Sequence, residues 1–188
     1  MTPSTPIDWE GALWDTIGHL QTLIRIDTVN PPGSEMAAAR YLDDVLRGAG
    51  IESAVLEPVK AGGRAAVVAR IAGDGSERPI ILLAHMDVVG VEREKWTQNP
   101  FGGELVDGYL YGRGAIDDKG MLSANLQAML LLRAQVAAGG LKPSRDVVFV
   151  ATSDEETGGH SPSSGSCPGE RTFVKRNSRS TRGGASAW

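Results

Sequence analysis

Apolar runs alternating with helix-period stretches predict an α/β sandwich with a largely parallel central sheet. Residues 65–71, 80–84 and 147–152 are continuous apolar runs, the pattern of strands covered on both faces. Longer stretches around them carry apolar residues at helical spacing, so strands alternate with helices as in parallel-sheet units. The side chains best suited to chemistry sit where these elements begin or end. In such sheets ligands gather at the carboxyl ends of strands and the adjoining helix N-termini.

From the amino end, residues 6–29 read as an amphipathic helix, with Asp8 as cap and Leu13, Ile17, Leu20 and Ile24 on one face. Asn30-Pro31-Pro32-Gly33 stops it, because proline cannot continue the hydrogen-bond ladder and glycine permits a turn. Ser34 then caps a second helix that turns Ala38, Tyr41, Leu42, Val45 and Leu46 inward and ends at Gly48 or Gly50. Residues 51–59 alternate apolar and polar, which suits an edge strand, whereas 65–71 and 80–84 suit central ones. A loop over 91–101 contains Trp96, Asn99 and Pro100. Residues 105–111 form a small hairpin with Asp107-Gly108 as its turn. Asp117 or Asp118 caps a third helix running to about residue 138, with Leu122, Leu126, Met129, Leu130 and Val136 as its core stripe. Gly139-Gly140 close it, and residues 147–152 supply the last buried strand.

Composition excludes several functions. The net charge of −4 conceals an acidic body: residues 161–188 hold five Lys or Arg against one acid, leaving 14 basic and 22 acidic residues in 1–160. That balance argues against nucleic acid as partner. No apolar run approaches the roughly 18 residues of a membrane span, and the first ten residues lack the basic start and apolar core of a signal peptide. The single Cys167 excludes an internal disulfide and fits a reducing compartment. The expected setting is cytoplasmic, away from membranes.

Three points carry the candidate chemistry. His85 and Asp87 lie two apart in an extended segment, so both side chains leave one face. Alone, that pair is most simply a polar closure of a strand, yet it also suits an imidazole ligand oriented by a carboxylate. Asp117 and Asp118 follow Gly112-Arg113-Gly114 and open a helix, which simple capping would also explain. A phosphate-binding turn fits poorly, because the acids would repel an anion and no P-loop lysine-serine pair follows. Glu155 and Glu156 are the most informative. Adjacent carboxylates repel, and a divalent cation resolves the conflict by taking one and leaving the other as a base. A solvated acidic loop is the plain alternative.

In combination these stretches resemble a known family, the di-zinc amidohydrolases and exopeptidases that include aminoacylase, acetylornithine deacetylase, succinyl-diaminopimelate desuccinylase and glutamate carboxypeptidase. The resemblance covers about residues 10–160. It rests on Leu-Leu-Ala-His-Met-Asp-Val-Val, Tyr-Gly-Arg-Gly-Ala-Ile-Asp-Asp-Lys-Gly and Thr-Ser-Asp-Glu-Glu-Thr-Gly-Gly, with Trp96 to Phe101 as a further match. It implies a three-layer, zinc-exopeptidase-like sandwich and hydrolysis of an amide bond in a small peptide or N-acyl amino acid by metal-activated water. By this resemblance His85 binds one zinc and Asp87 orients it. Asp117 bridges two zincs across a cis peptide to Asp118, Glu156 binds the second, and Glu155 is the general base. Cobalt is the expected substitute metal, and full-length relatives are often homodimers.

The resemblance also implies a further carboxylate and a final histidine ligand, which nothing in 161–188 matches. Two protein ligands per metal fall below the three of a catalytic zinc site. The expectation is therefore a truncated N-terminal part of a catalytic domain over 1–160, inactive or nearly so by itself. Residues 161–188 contain seven Ser and no Leu, Ile or Met, so they read as disordered. Either they are a natural tail or, the favoured reading, an out-of-frame one. The competing function is a non-catalytic α/β module binding a metal or small ligand; a nucleotide site at Gly112–Gly114 is a third.

Overall fold

The computed structural model describes residues 6–57 and 63–158. The segment 161–188, expected to be out of frame, lies outside the described residues, as do Val59 and His160. Three helices and six strands follow in the order α1 (Trp9–Arg25), α2 (Met36–Gly48), β1 (Glu52–Leu56), β2 (Ala66–Ile71), β3 (Ile80–His85), β4 (Glu104–Val106), β5 (Tyr109–Tyr111), α3 (Lys119–Ala137) and β6 (Val147–Thr152).

The α/β class holds, but the sheet is mixed rather than largely parallel. Its order is β1-β2-β6-β3; β2 runs antiparallel to both β1 and β6, and the parallel pair is β3 with β6. Connection length explains the difference. β1 and β2 are separated by only nine residues in sequence, which permits an antiparallel return, whereas α3 provides the long crossover that a parallel pair requires. β1 is an edge, as its alternation suggested, and β2 is buried along nearly its whole length. β3, expected to be central, forms the other edge among the described residues, with Ile81 61% and Leu83 57% exposed.

The helices pack on one face. Val67, Ala69, Ile71, Phe149, Ala151 and Ala84 share a core with Leu42 and Leu46 of α2 and Leu122, Leu126 and Met129 of α3. The described residues thus supply one helical layer and the sheet. Helix boundaries follow local chemistry. Asp8 caps α1 by accepting the Gly11 N–H at 3.0 Å, as expected. The helix stops at Arg25, short of residue 29, because the fully buried Lys119 ammonium takes the Leu23 and Ile26 carbonyls, each at 2.9 Å. At the start of α2 the cap position belongs to Glu35 rather than Ser34, with no side-chain cap bond; the Met36 N–H goes to the Gly63 carbonyl at 3.0 Å. The β4–β5 hairpin turns at Asp107 and Gly108, both at positive φ, as an Asp-Gly turn of this kind requires. No helix among the described residues is long and apolar enough to cross a membrane.

Gly112 and Gly114 serve close packing. A Cβ on Gly112 would lie 2.5 Å from Ile24, and one on Gly114, at φ +84°, would lie 2.7 Å from Val88 and 3.2 Å from Lys119. The loop entering α3 therefore presses against α1 and the segment after β3. Gly114→Ala is expected to destabilise the fold by about 1–3 kcal/mol, combining backbone strain with a clash. Gly139→Ala, at φ +72° but facing open space, should cost only the backbone part, about 1–2 kcal/mol. Urea denaturation of both variants checks this; equal losses would show that contact with Val88 adds nothing.

Candidate metal centre

The register of the parallel pair builds the site. His85 of β3 lies beside Thr152 of β6, and the Met86 N–H donates to the Thr152 carbonyl at 2.9 Å. Chain segments leaving these neighbouring strand ends carry Asp87 on one side and Asp154, Glu155 and Glu156 on the other. A third segment joins them: Val29 bridges Val88, Asn30 N–H donates to the Val88 carbonyl at 2.9 Å, and Thr28 Oγ1 donates to the Met86 carbonyl at 2.7 Å. From the far side comes the turn into α3. There Asp117 and Asp118 are joined by a cis peptide, and Asp118 occupies the helix cap position without capping. Its Oδ2 instead accepts the His85 N–H at 3.2 Å.

His85, Asp117 and Glu156 converge here. One donor atom from each lies within 4.8 Å of the other two. His85 Nε2 is 3.1 Å from Asp117 Oδ1 and 3.8 Å from Glu155 Oε2. Its Nδ1 faces the Asp87 main-chain carbonyl at 3.0 Å, with the Asp87 carboxylate further off at 3.5 Å. A carbonyl can only accept, so Nδ1 carries a proton; Nε2 faces Asp117 and Glu155, donating to Asp117 while the ring is charged and offering a lone pair to a cation once that second proton is lost. The sequence pattern anticipated the carboxylate in that role; the nearer partner is the same residue's backbone.

Asp87 has other work. Its fully buried carboxylate accepts from Asn30 Nδ2 at 2.8 Å and from the backbone N–H groups of Glu155 at 3.2 Å and Glu156 at 3.1 Å. Burial alone would raise its pKa, but hydrogen bonds from His85, Asn30 and the two amides outweigh it and hold the group at about 2. The same balance governs His85 with the opposite sign. Desolvation would lower its pKa, yet bonds to Asp87 and Asp117 and the charges of Asp87 and Asp118 push it up to about 9. Glu156 is raised by burial and by Asp117, Asp87 and Glu155, with His85 opposing. Lys119 is depressed to about 8 by burial, against the pull of Asp27 and Asp87.

The donor set suits a divalent cation. One imidazole nitrogen and two carboxylates converge, crowded carboxylates raise each other's pKa, and a cation relieves that conflict. Asp117 and Glu155 stand 75% and 62% exposed at their side chains, so the site is open on the side where a ligand would enter. Asn30, Glu35, Arg64 and Asp154 also belong to this region, and sequence reasoning did not single them out. Asn30 read as part of a helix stop, and nothing in the local sequence marked Arg64. The acid immediately before Glu155-Glu156 was the one available hint.

A family model described as peptidase family M20/M25/M40 matches residues 81–182, more than half of the chain. The chain is 39% identical over 142 residues to a succinyl-diaminopimelate desuccinylase from Methylorubrum extorquens, covering 72% of this chain and 34% of that one. It is 35% identical over 155 residues to aminoacylase-1 from Sus scrofa, covering 81% and 35% respectively. Human carnosine dipeptidase 1 superposes with a TM-score of 0.66 at 20% identity, over 95% of this chain and 40% of that one. The dipeptidase Dug1p from Saccharomyces cerevisiae gives 0.65 at 20% identity, over 89% and 36%. The chain therefore spans about a third of the length of these curated relatives. The structural likeness speaks for the fold, and the match along the sequence goes further. The chain belongs to the peptidase family M20/M25/M40.

Proposed function

We propose that this chain carries the amino-terminal half of a zinc-dependent amidohydrolase site, acting on small peptides or N-acyl amino acids in the cytoplasm. The observation behind the proposal is the convergence of His85, Asp117 and Glu156 within 4.8 Å at the carboxyl ends of a parallel strand pair. The names of the relatives, a desuccinylase and an aminoacylase, point to the same substrate class. In this reading residues 1–160 form the catalytic part. A second copy of the longer protein would complete a homodimer.

In this reading His85, Asp117 and Glu156 hold zinc, or cobalt in its place. When bound, such an ion polarises an amide carbonyl and activates water. The protein groups do the rest. The Asp87 carbonyl fixes the His85 tautomer, and the Asp87 carboxylate holds the backbone of Glu155 and Glu156 so that their side chains face His85. Glu155, close to His85 Nε2 and open to solvent, takes a proton from the attacking water and delivers it to the leaving amine.

Glu156→Gln is expected to weaken zinc binding by at least tenfold, whereas Glu155→Gln should leave it within about twofold. Competition against a chromophoric chelator measures both. In a longer form spanning the relatives' full length, Glu155→Gln should also lower the rate of N-acyl amino acid hydrolysis on the order of 10²-fold or more. Equal zinc loss in the two variants would refute the division of roles. Zinc binding without hydrolysis in that longer form would favour a non-catalytic metal-binding module.

Affinity should also depend on pH with a known sign. The metal must displace the proton that the surrounding carboxylates hold on His85 up to about pH 9. Between pH 6 and pH 8, below that value, apparent affinity is therefore expected to rise about tenfold per pH unit for one proton released. The same chelator competition at three pH values reads it, and a flat profile would contradict His85 as a ligand.

A further inference from the structure

We infer that Arg64, acting through Asn30 and Asp154, is the positioning residue that fixes Asp87 and the Glu155–Glu156 turn; the inference rests on the ligand reading above. Arg64 lies just before β2, with its side chain only 15% exposed, and donates to three acceptors. Nη1 reaches Glu35 Oε1 at 2.9 Å, while Nη2 reaches Asn30 Oδ1 at 2.8 Å and Asp154 Oδ1 at 3.0 Å. Because the Asn30 carbonyl is occupied by the guanidinium, its amide nitrogen must face the other way. It donates to Asp87 Oδ2 at 2.8 Å and to Asp154 Oδ1 at 3.1 Å. A flipped amide would set its oxygen against two carboxylates and its nitrogen against a cation.

The network grips the Glu155–Glu156 turn at two places. Asp154 is held by Arg64, Asn30 and Thr157 Oγ1, the last at 2.6 Å, and sits at φ +68°. A non-glycine residue keeps that conformation only where its surroundings enforce it. One residue on, the Glu155 and Glu156 N–H groups are held by Asp87. Three carboxylates, Glu35, Asp87 and Asp154, are each no more than 3% exposed, and buried like charges this close require a cation among them. Arg64 supplies it. A planar guanidinium fork can serve Glu35, Asn30 and Asp154 at once, which an ammonium on a flexible stem does poorly.

The test uses the full chain, zinc affinity by chelator competition, and the visible spectrum of the cobalt-loaded protein. Groups that orient metal ligands typically set affinity by 10–100-fold. Asn30→Ala and Arg64→Met are therefore each expected to lower zinc affinity by about that factor and to change the cobalt bands, with Arg64→Lys recovering part of the loss. Circular dichroism and thermal unfolding verify the fold of each variant. Since Arg64→Met leaves buried acids without their cation, Arg64→Met/Glu35→Gln removes one of those charges and is expected to show the same zinc loss in a folded protein. If the Arg64 variants do not fold, Asn30→Ala decides. Folded Asn30→Ala and Arg64→Met/Glu35→Gln that bind zinc and display cobalt bands like the parent, while His85→Ala does not bind, would overturn the positioning role and leave the ligands standing. A parent that binds no better than His85→Ala would overturn the ligand reading, and the inference with it.

Discussion

A buried carboxylate, that of Asp87, is the constraint on which the rest of the site depends. It has no access to water, so its charge must be met by donors from within the protein. Those donors come from two places distant in sequence: the Asn30 amide and the backbone of Glu155 and Glu156. Satisfying one charge therefore draws together the segment after α1, the end of β3 and the end of β6. The strand register brings them near, and the hydrogen bonds set their orientation. Removing the carboxylate would strip the Glu155 and Glu156 N–H groups of this acceptor and leave the Asn30 amide to Asp154.

Much of this was legible in the sequence, for identifiable reasons. Continuous apolar runs located β2, β3 and β6, and helical periodicity located all three helices. Asp107-Gly108 specified a hairpin because few dipeptides accept two consecutive positive φ angles. His85, Asp117 and Glu156 could be picked out because polar residues of ligand type at the ends of apolar runs are brought to one sheet edge by topology. The cis peptide between Asp117 and Asp118, implied only by the family resemblance, is present.

What escaped depended on contacts between residues far apart. A continuous apolar run marks a strand as buried without stating the direction of its neighbours, so the mixed sheet was not visible. The roles of Asn30 and Arg64 arise from separations of 57 and 34 residues, respectively: Asn30 to Asp87 and Arg64 to Asn30. Asn before Pro-Pro-Gly reads locally as a chain stop, and an arginine between glycine and alanine reads as solvent-exposed. The end of α1 was overestimated for the same reason, because Lys119, more than 90 residues away, takes its last carbonyls.

The exposed margin of β3 has a consequence for the chain as a substance. Ile81 and Leu83 project from one face of an edge strand, and among the described residues no strand pairs with its outer side. Asn125 of α3 reaches one of its backbone carbonyls, that of Leu83, at 3.3 Å. An open edge strand with exposed apolar side chains is a template for a strand from another molecule. Crowding therefore works against the isolated chain: the same surface that lets β3 extend a sheet within one molecule lets it extend one between molecules, and dilution becomes a condition of keeping it dispersed.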